Sequence, residues 1–158
     1  MKKLVIGIGN SFRRDDGVGL AVAERIAALD LPGVSVMTSD GEPAAIIDAW
    51  AGVPTTVVVD AAVGEHTTRG QIRRWTPDEA ALPSTTSSHA FGLPQAYALG
   101  QALGRMPNRL VVFTVDIADA ALGTGFSAPV AASVASAVDA VLTELTVDAP
   151  EGRRSRSP

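Results

Sequence analysis

Four acidic residues and one histidine fall where short apolar runs give way to loops: Asp15, Asp16, Asp40, Asp60 and, further on, His89. Two carboxylates brought together repel and raise each other's pKa unless a cation lies between them. Asp16, Asp60 and His89 together would offer two oxygen donors and one imidazole. That set suits a divalent transition metal, with positions left for water or substrate. No local spacing of the H-E-x-x-H kind holds these residues together, so only a fold could assemble them. Each also has a plainer use. Asp15 and Asp16 would begin and cap a helix, worth about 0.3–1 kcal/mol each. Asp40 before Gly41 is a common turn pair. Asp60 closes a β-branched run and, once buried, must be hydrogen-bonded, capping or bound to a cation. His89 alone would cap or pack, and His66, in a Gly/Thr-rich turn, reads as a surface residue.

Other chemistries fit less well. Gly7-Ile8-Gly9 after an apolar run invites a dinucleotide reading, but Phe12 stands where the third glycine of G-x-G-x-x-G belongs. Two carboxylates follow where a pyrophosphate needs amide donors, and Asp40 lies 31 positions beyond Gly9, not about 20. The alternative use of these glycines is a tight turn with close helix–strand packing. There is no G-x-S-x-G elbow, and Ser84 to Ser88 have no second histidine placed to activate them. The absence of cysteine removes disulfides, thiol nucleophiles and zinc ribbons, and fits a reducing compartment.

These residues need a scaffold that brings them to one edge. Short β-branched runs, Leu4–Ile8, Val34–Thr38, Thr56–Asp60, Gln71–Trp75 and Leu110–Val115, alternate with Ala-rich segments of helical spacing. Val18, Val22, Ile26 and Leu29 recur every three or four residues, as do Leu93, Tyr97 and Ala98 with Gln101 facing out. Val130, Val134, Val138, Val141 and Leu145 make the longest stripe. A short helix is predicted over Ala44–Trp50. Continuous apolar strands between helices predict an α/β, single-domain three-layer sandwich: a twisted, mostly parallel sheet of about five strands with helices on both faces. Gln71–Trp75 alternates and closely follows the third strand, so it is expected as an antiparallel edge strand. In such sheets ligands bind at the carboxyl ends of the strands, where the acids fall.

The 158 residues make one ordinary domain, expected over 1–147, with a disordered Arg/Ser tail over 148–158. The net charge of −4, with two lysines, both at the N-terminus, offers no track for a nucleic-acid backbone. The apolar runs are far shorter than the roughly 20 residues that span a bilayer, and the N-terminal run is too short for a signal peptide. A cytoplasmic monomer with neither nucleic-acid nor membrane partner is the expectation.

Taken together, Gly7-Ile8-Gly9-Asn10, Asp15-Asp16-Gly17-Val18-Gly19, Asp40-Gly41-Glu42-Pro43, Val59-Asp60-Ala61 and Ser87-Ser88-His89-Ala90-Phe91-Gly92-Leu93 resemble the hydrogenase maturation proteases. The blocks run in family order from about Lys2 to Leu145. Two stretches depart from the family pattern: Val115-Asp116-Ile117-Ala118, where many relatives have Gly-Ile-x-Pro, and a proline at Pro129, one place late. The resemblance implies an endopeptidase that removes a short C-terminal peptide from the nickel-loaded precursor of a nickel–iron hydrogenase large subunit. It implies a metal triad of Asp16, Asp60 and His89, with Asp40 beside it positioning the scissile segment. The nickel would arrive on the substrate, and another divalent metal could take the site in vitro. The alternative is a non-catalytic nickel-binding escort using the same residues.

Overall fold

The computed structural model describes residues 2–9, 17–62, 70–77, 93–117 and 128–146. Five strands, β1 (Lys3–Ile8), β2 (Val34–Ser39), β3 (Thr55–Ala62), β4 (Ile72–Trp75) and β5 (Arg109–Asp116), form one sheet in the order β2-β1-β3-β5-β4. All pairings are parallel except β4 with β5. The helices are α1 (Val18–Ala28), α2 (Pro43–Trp50), α3 (Leu93–Leu103) and α4 (Ala128–Thr146). This is the predicted α/β architecture, with its antiparallel strand at the edge as expected.

Strand alternation divides the core into two layers. Val5, Val57, Val59, Val111, Phe113 and Val115 turn to α1 and α4, against Val18, Val22, Ile26, Val134, Val138 and Val141. Leu4, Ile6, Ile8, Val58, Leu110 and Val112 turn to α2 and α3, against Ile46, Ile47, Trp50, Leu93 and Ala96. β3 is buried along its whole length, because it has a strand on each side and helices on each face. The α4 stripe is buried as its spacing predicts; by length and composition this helix could cross a bilayer, but its apolar face is spent on α1 and the sheet.

Two expectations shift. Leu29 is half exposed at the C-cap of α1 rather than part of its buried stripe. In α3 the buried positions are Leu93, Ala96 and Gly100, with Tyr97 half-buried and Ala98 exposed. Tyr97 leans toward Trp75 of β4, their ring centroids 5.5 Å apart in an edge-on pair, and this rotates the face away from Ala98. Gly17 takes the N-cap position of α1; Asp15 and Asp16, expected to begin a helix, lie outside the described residues. The loop expected over Thr76–Ser88, the turn at His66 and the tail lie outside the described residues, except for Thr76 and Pro77.

At the amino edge of the sheet a buried carboxylate ties α4 to two strands. Glu144 accepts from Arg74 Nε at 2.9 Å and Nη2 at 3.3 Å, and also pairs with Arg109 Nη2. Lys3 Nζ reaches the Leu145 carbonyl beside it. Burial pushes the Glu144 carboxyl up, but the hydrogen bonds and charges of both arginines outweigh it and hold its pKa below the ordinary glutamate value. The stabilisation is therefore complete above the ordinary glutamate range and is lost as pH falls through the lowered folded-state value. Glu144→Gln should cost about 1–3 kcal/mol at neutral pH. Denaturant melts of variant and wild type should converge as the buffer is made acidic; a pH-independent difference would show that the carboxylate charge is not what stabilises this edge.

Candidate active site at the carboxyl edge of the sheet

Parallel strands place their carboxyl ends on one edge. The chain runs from β1 out to β2 and then crosses back to β3 on the far side of β1. The crevice between the ends of β1 and β3 is thus the topological switch point, where open α/β sheets bind ligands. Asp60 stands there. Pairing of β1 with β3 stops at Gly7 and Val59, so Asp60 lies one residue past that ladder. It is only 3% exposed. Its Oδ1 accepts the Ala61 backbone N–H at 2.8 Å, so the carboxylate satisfies a backbone donor that β1 is too short to reach.

Two glycines bring α1 onto this crevice. A Cβ on Gly19 would stand 2.5 Å from the Val59 carbonyl oxygen and would overlap the Ile8 carbonyl as well. A Cβ on Gly7 would overlap the Gly19 carbonyl and come within 2.6 Å of Ala23 Cβ. Helix and strands therefore meet backbone to backbone. This is the close-packing use of glycine, not a phosphate cradle. Gly17, the N-cap of α1, lies two residues from this contact, and Asp16 is the residue before it in the chain.

Of the four sequence-predicted site residues, Asp40 and Asp60 are described; Asp16 and His89 lie outside the described residues. His89 stands four residues before Leu93, the buried first residue of α3. Asp40 follows β2 directly, and with β1 between them the strands of Asp40 and Asp60 lie about 10 Å apart. Asp40 is exposed, and its Oδ1 accepts from Glu42 N at 3.2 Å. Gly41, at φ 100°, makes the turn, and Glu42 caps α2 through Ala45 N at 3.0 Å. Asp40 thus acts in the turn that starts α2 and does not touch Asp60. Among the described residues, no three His, Asp or Glu side chains come together as a metal cluster.

A second buried carboxylate at this edge escaped the sequence reading. Asp116 ends β5, with Thr114 opposite Asp60 and Asp116 opposite Ala62 in the register. It is buried and pairs with the half-exposed Arg73, Nη2 to Oδ2 at 3.0 Å. An acid ending a β-branched run was the signal that singled out Asp60, and Val115-Asp116 carries the same signal. In the fold its charge is answered by the antiparallel edge strand.

The fold and this edge define an α/β protein with its ligand crevice at the switch point, floored by a buried carboxylate. The hydrogenase maturation protease family matches residues 21–144, most of the chain and most of its described elements. The chain belongs to that family of endopeptidases. Solved structures share its architecture. The hydrogenase maturating endopeptidase HybD of E. coli superposes with a TM-score of 0.78 at 22% identity, covering 92% of each chain. The [NiFe] hydrogenase maturation protease HybD of Thermococcus kodakarensis gives 0.70 at 22% identity, over 93% of this chain and 100% of that one. HycI of Thermococcus kodakarensis KOD1, a [NiFe] hydrogenase maturation protease, gives 0.67 at 21%, over 92% and 93%. No curated protein matches the chain.

Gly19→Ala tests the contact that sets this edge. Because the added methyl meets two carbonyls and not a flexible side chain, the variant should lose about 2–3 kcal/mol in denaturant unfolding. Gly104→Ala is the contrasting control. That glycine sits at φ 68° with nothing near its missing Cβ, so it should cost backbone strain only, about 1–2 kcal/mol. A Gly19→Ala variant as stable as wild type would contradict the backbone-to-backbone contact.

Proposed function

We propose that this chain removes a C-terminal peptide from the nickel-loaded precursor of a nickel–iron hydrogenase large subunit, using the nickel of that precursor for recognition. Membership in the hydrogenase maturation protease family supports the peptidase chemistry and the role in maturation. The observation that carries the site is Asp60, a carboxylate buried at the switch point just beyond the end of β1. The nickel belongs to the substrate. Asp16, Asp60 and His89 would hold it; two carboxylates and an imidazole are donors that a divalent transition ion accepts, and another divalent metal would take the same set in vitro. Asp40, exposed and one strand removed, would meet the scissile segment instead of the metal. The sequence has no cysteine and no nucleophile elbow, so attack on the peptide carbonyl falls to water, activated by a carboxylate or by the metal. The reaction is assigned to the cytoplasm and to the monomer.

The decisive experiment incubates the protein with a matching precursor, with and without its nickel, and reads intact mass. One C-terminal peptide should be lost from the nickel-loaded form alone. Asp60→Asn and His89→Ala should keep the circular dichroism spectrum of the fold. Each should lose at least the roughly 10–100-fold that removing even an outer partner of a metal site costs. Unchanged mass with tight, nickel-dependent binding would favour the escort. Processing by both variants at the wild-type rate would overturn the triad.

A further inference from the structure

The two outer strands of the sheet are built differently. β4 closes one side with four residues, two of them Arg73 and Arg74, each paired with a buried acid. β2 closes the other side with six, Val34-Ser35-Val36-Met37-Thr38-Ser39, and carries no charge and no proline. Among the described residues β2 has a strand on one side only, β1, and its register there runs without a bulge. Native edges are blunted by charge, proline, a bulge or shortness, since an open edge is a template for another chain. β2 has none of these devices.

The ladder fixes which backbone groups are left over. Lys3 N donates to the Gly33 carbonyl at 2.9 Å, and Gly9 N to the Ser39 carbonyl at 3.0 Å. In a parallel pair alternate residues turn both backbone groups to the same side, so Ser35, Met37 and Ser39 face β1 while Val34, Val36 and Thr38 face outward. Val34 N is used by the preceding turn, donating to the Leu31 carbonyl at 3.2 Å. Val36 and Thr38 thus present both N–H and C=O outward, spaced as an added strand requires. The side chains suit a covering strand as well: Val36 and Met37 are half-buried, one against each core layer.

Position says what would cover this edge. β2 runs to the carboxyl edge of the sheet and passes directly into Asp40. A strand added outside β2 lies three strand spacings from β3, about 14 Å from the line of Asp60. An extended chain crosses that distance in about four residues. A peptide cut beside Asp60 therefore reaches β2 with the residues that follow the cut, passing Asp40. It then runs down the edge antiparallel to β2, from Ser39 toward Val34. A segment at a chain end is free to take this path, because nothing folded follows it.

We propose that β2 is the docking edge for the C-terminal peptide of the precursor, whose residues from about the fifth beyond the scissile bond add as an antiparallel strand along Val36 and Thr38. This deepens the proteolytic reading and rests on it for the identity of the peptide.

The test uses the full-length ¹⁵N-labelled protein and two synthetic peptides from the C-terminus of a matching precursor. Both span the scissile bond; one runs to the natural end, and the other stops about four residues beyond the bond. The long peptide should slow hydrogen exchange of the Val36 and Thr38 amides, and the short one should not. The long peptide should also bind roughly tenfold more tightly, as two or more added ladder bonds imply. Thr38→Pro removes an outward N–H and leaves the groups that face β1, so it should bring the long peptide down to the affinity of the short one. Thr38→Val keeps the N–H and should retain the difference. A long peptide N-methylated along the segment opposite β2 should lose it without any change to the protein. Intact mass is read alongside. Protection without cleavage keeps the docking edge and overturns the proteolytic reading. Cleavage with equal affinity for both peptides, and no protection of Val36 and Thr38, overturns the docking edge and leaves proteolysis standing. Absence of both overturns the edge as well. Protection that needs no peptide and rises with protein concentration assigns the edge to a second copy of this chain, which also overturns the proposal.

Discussion

Helix α1 lies on the ends of β1 and β3 with no side chain between, and the rest of the carboxyl edge follows from that contact. Gly7 and Gly19 are each other's condition: a methyl on either would run into the backbone of the other element. Close packing of this kind tolerates little adjustment, because carbonyl groups tied into a sheet cannot rotate aside as a side chain can. It fixes where the chain rejoins the sheet after β1, at Gly17, the N-cap of α1. On the opposite face, Leu93 anchors the start of α3 in the second core layer, four residues beyond His89.

The unequal lengths of β1 and β3 explain how a carboxylate comes to be buried here. β3 continues to Ala62 and keeps its pairing with β5 to Asp116, whereas β1 leaves the ladder after Gly7. That mismatch exposes the Ala61 N–H to a gap, and the Asp60 carboxylate fills it. A hydrogen bond to the residue's own neighbour restricts the rotamers open to Asp60. Glu144, at the amino edge, is closed in by Arg74 and Arg109 from two strands, and Asp116 by Arg73; both pairs hold the short β4 in register. The arginines on β4 also blunt an exposed strand edge that would otherwise invite pairing with another chain.

Much of this frame was legible in the sequence, and the reasons differ by element. All five strands fell within two residues of their observed ends, because runs such as Val57-Val58-Val59 have no stable alternative to burial on both faces. The α4 stripe was legible because nineteen residues sample the helical period many times over. α3 was read correctly at Leu93, Tyr97 and Gln101 but not at Ala98, because only eleven residues, rich in Ala and Gly, define its face, and the edge-on pair of Tyr97 with Trp75 turns it toward Ala96 and Gly100. That pair joins positions 22 apart, which no local period records. The Arg74–Glu144–Arg109 cluster was invisible for the same reason, its members lying 35 and 70 positions apart. Asp60 was singled out correctly as an acid that a buried strand must account for, whereas Asp40 shows how the same residue type at a strand end can be spent on a turn.

Why the architecture is shared at 21–22% identity to its structural neighbours follows from which features are backbone features. Sheet order, the crossover at β1 and β3, and the glycine contact are satisfied by many apolar sequences, so the core can be rewritten residue by residue while the crevice stays in place. The side chains at the strand ends are not interchangeable in that way, since Asp60 answers a particular N–H and occupies a position closed to water. The departure at Val115-Asp116 illustrates the point. A buried acid there, matched by Arg73 on β4, changes the charge layout beside the crevice without moving β3. The scaffold sets where the crevice lies, between the ends of β1 and β3, and the buried acids at the strand ends set the charge beside it.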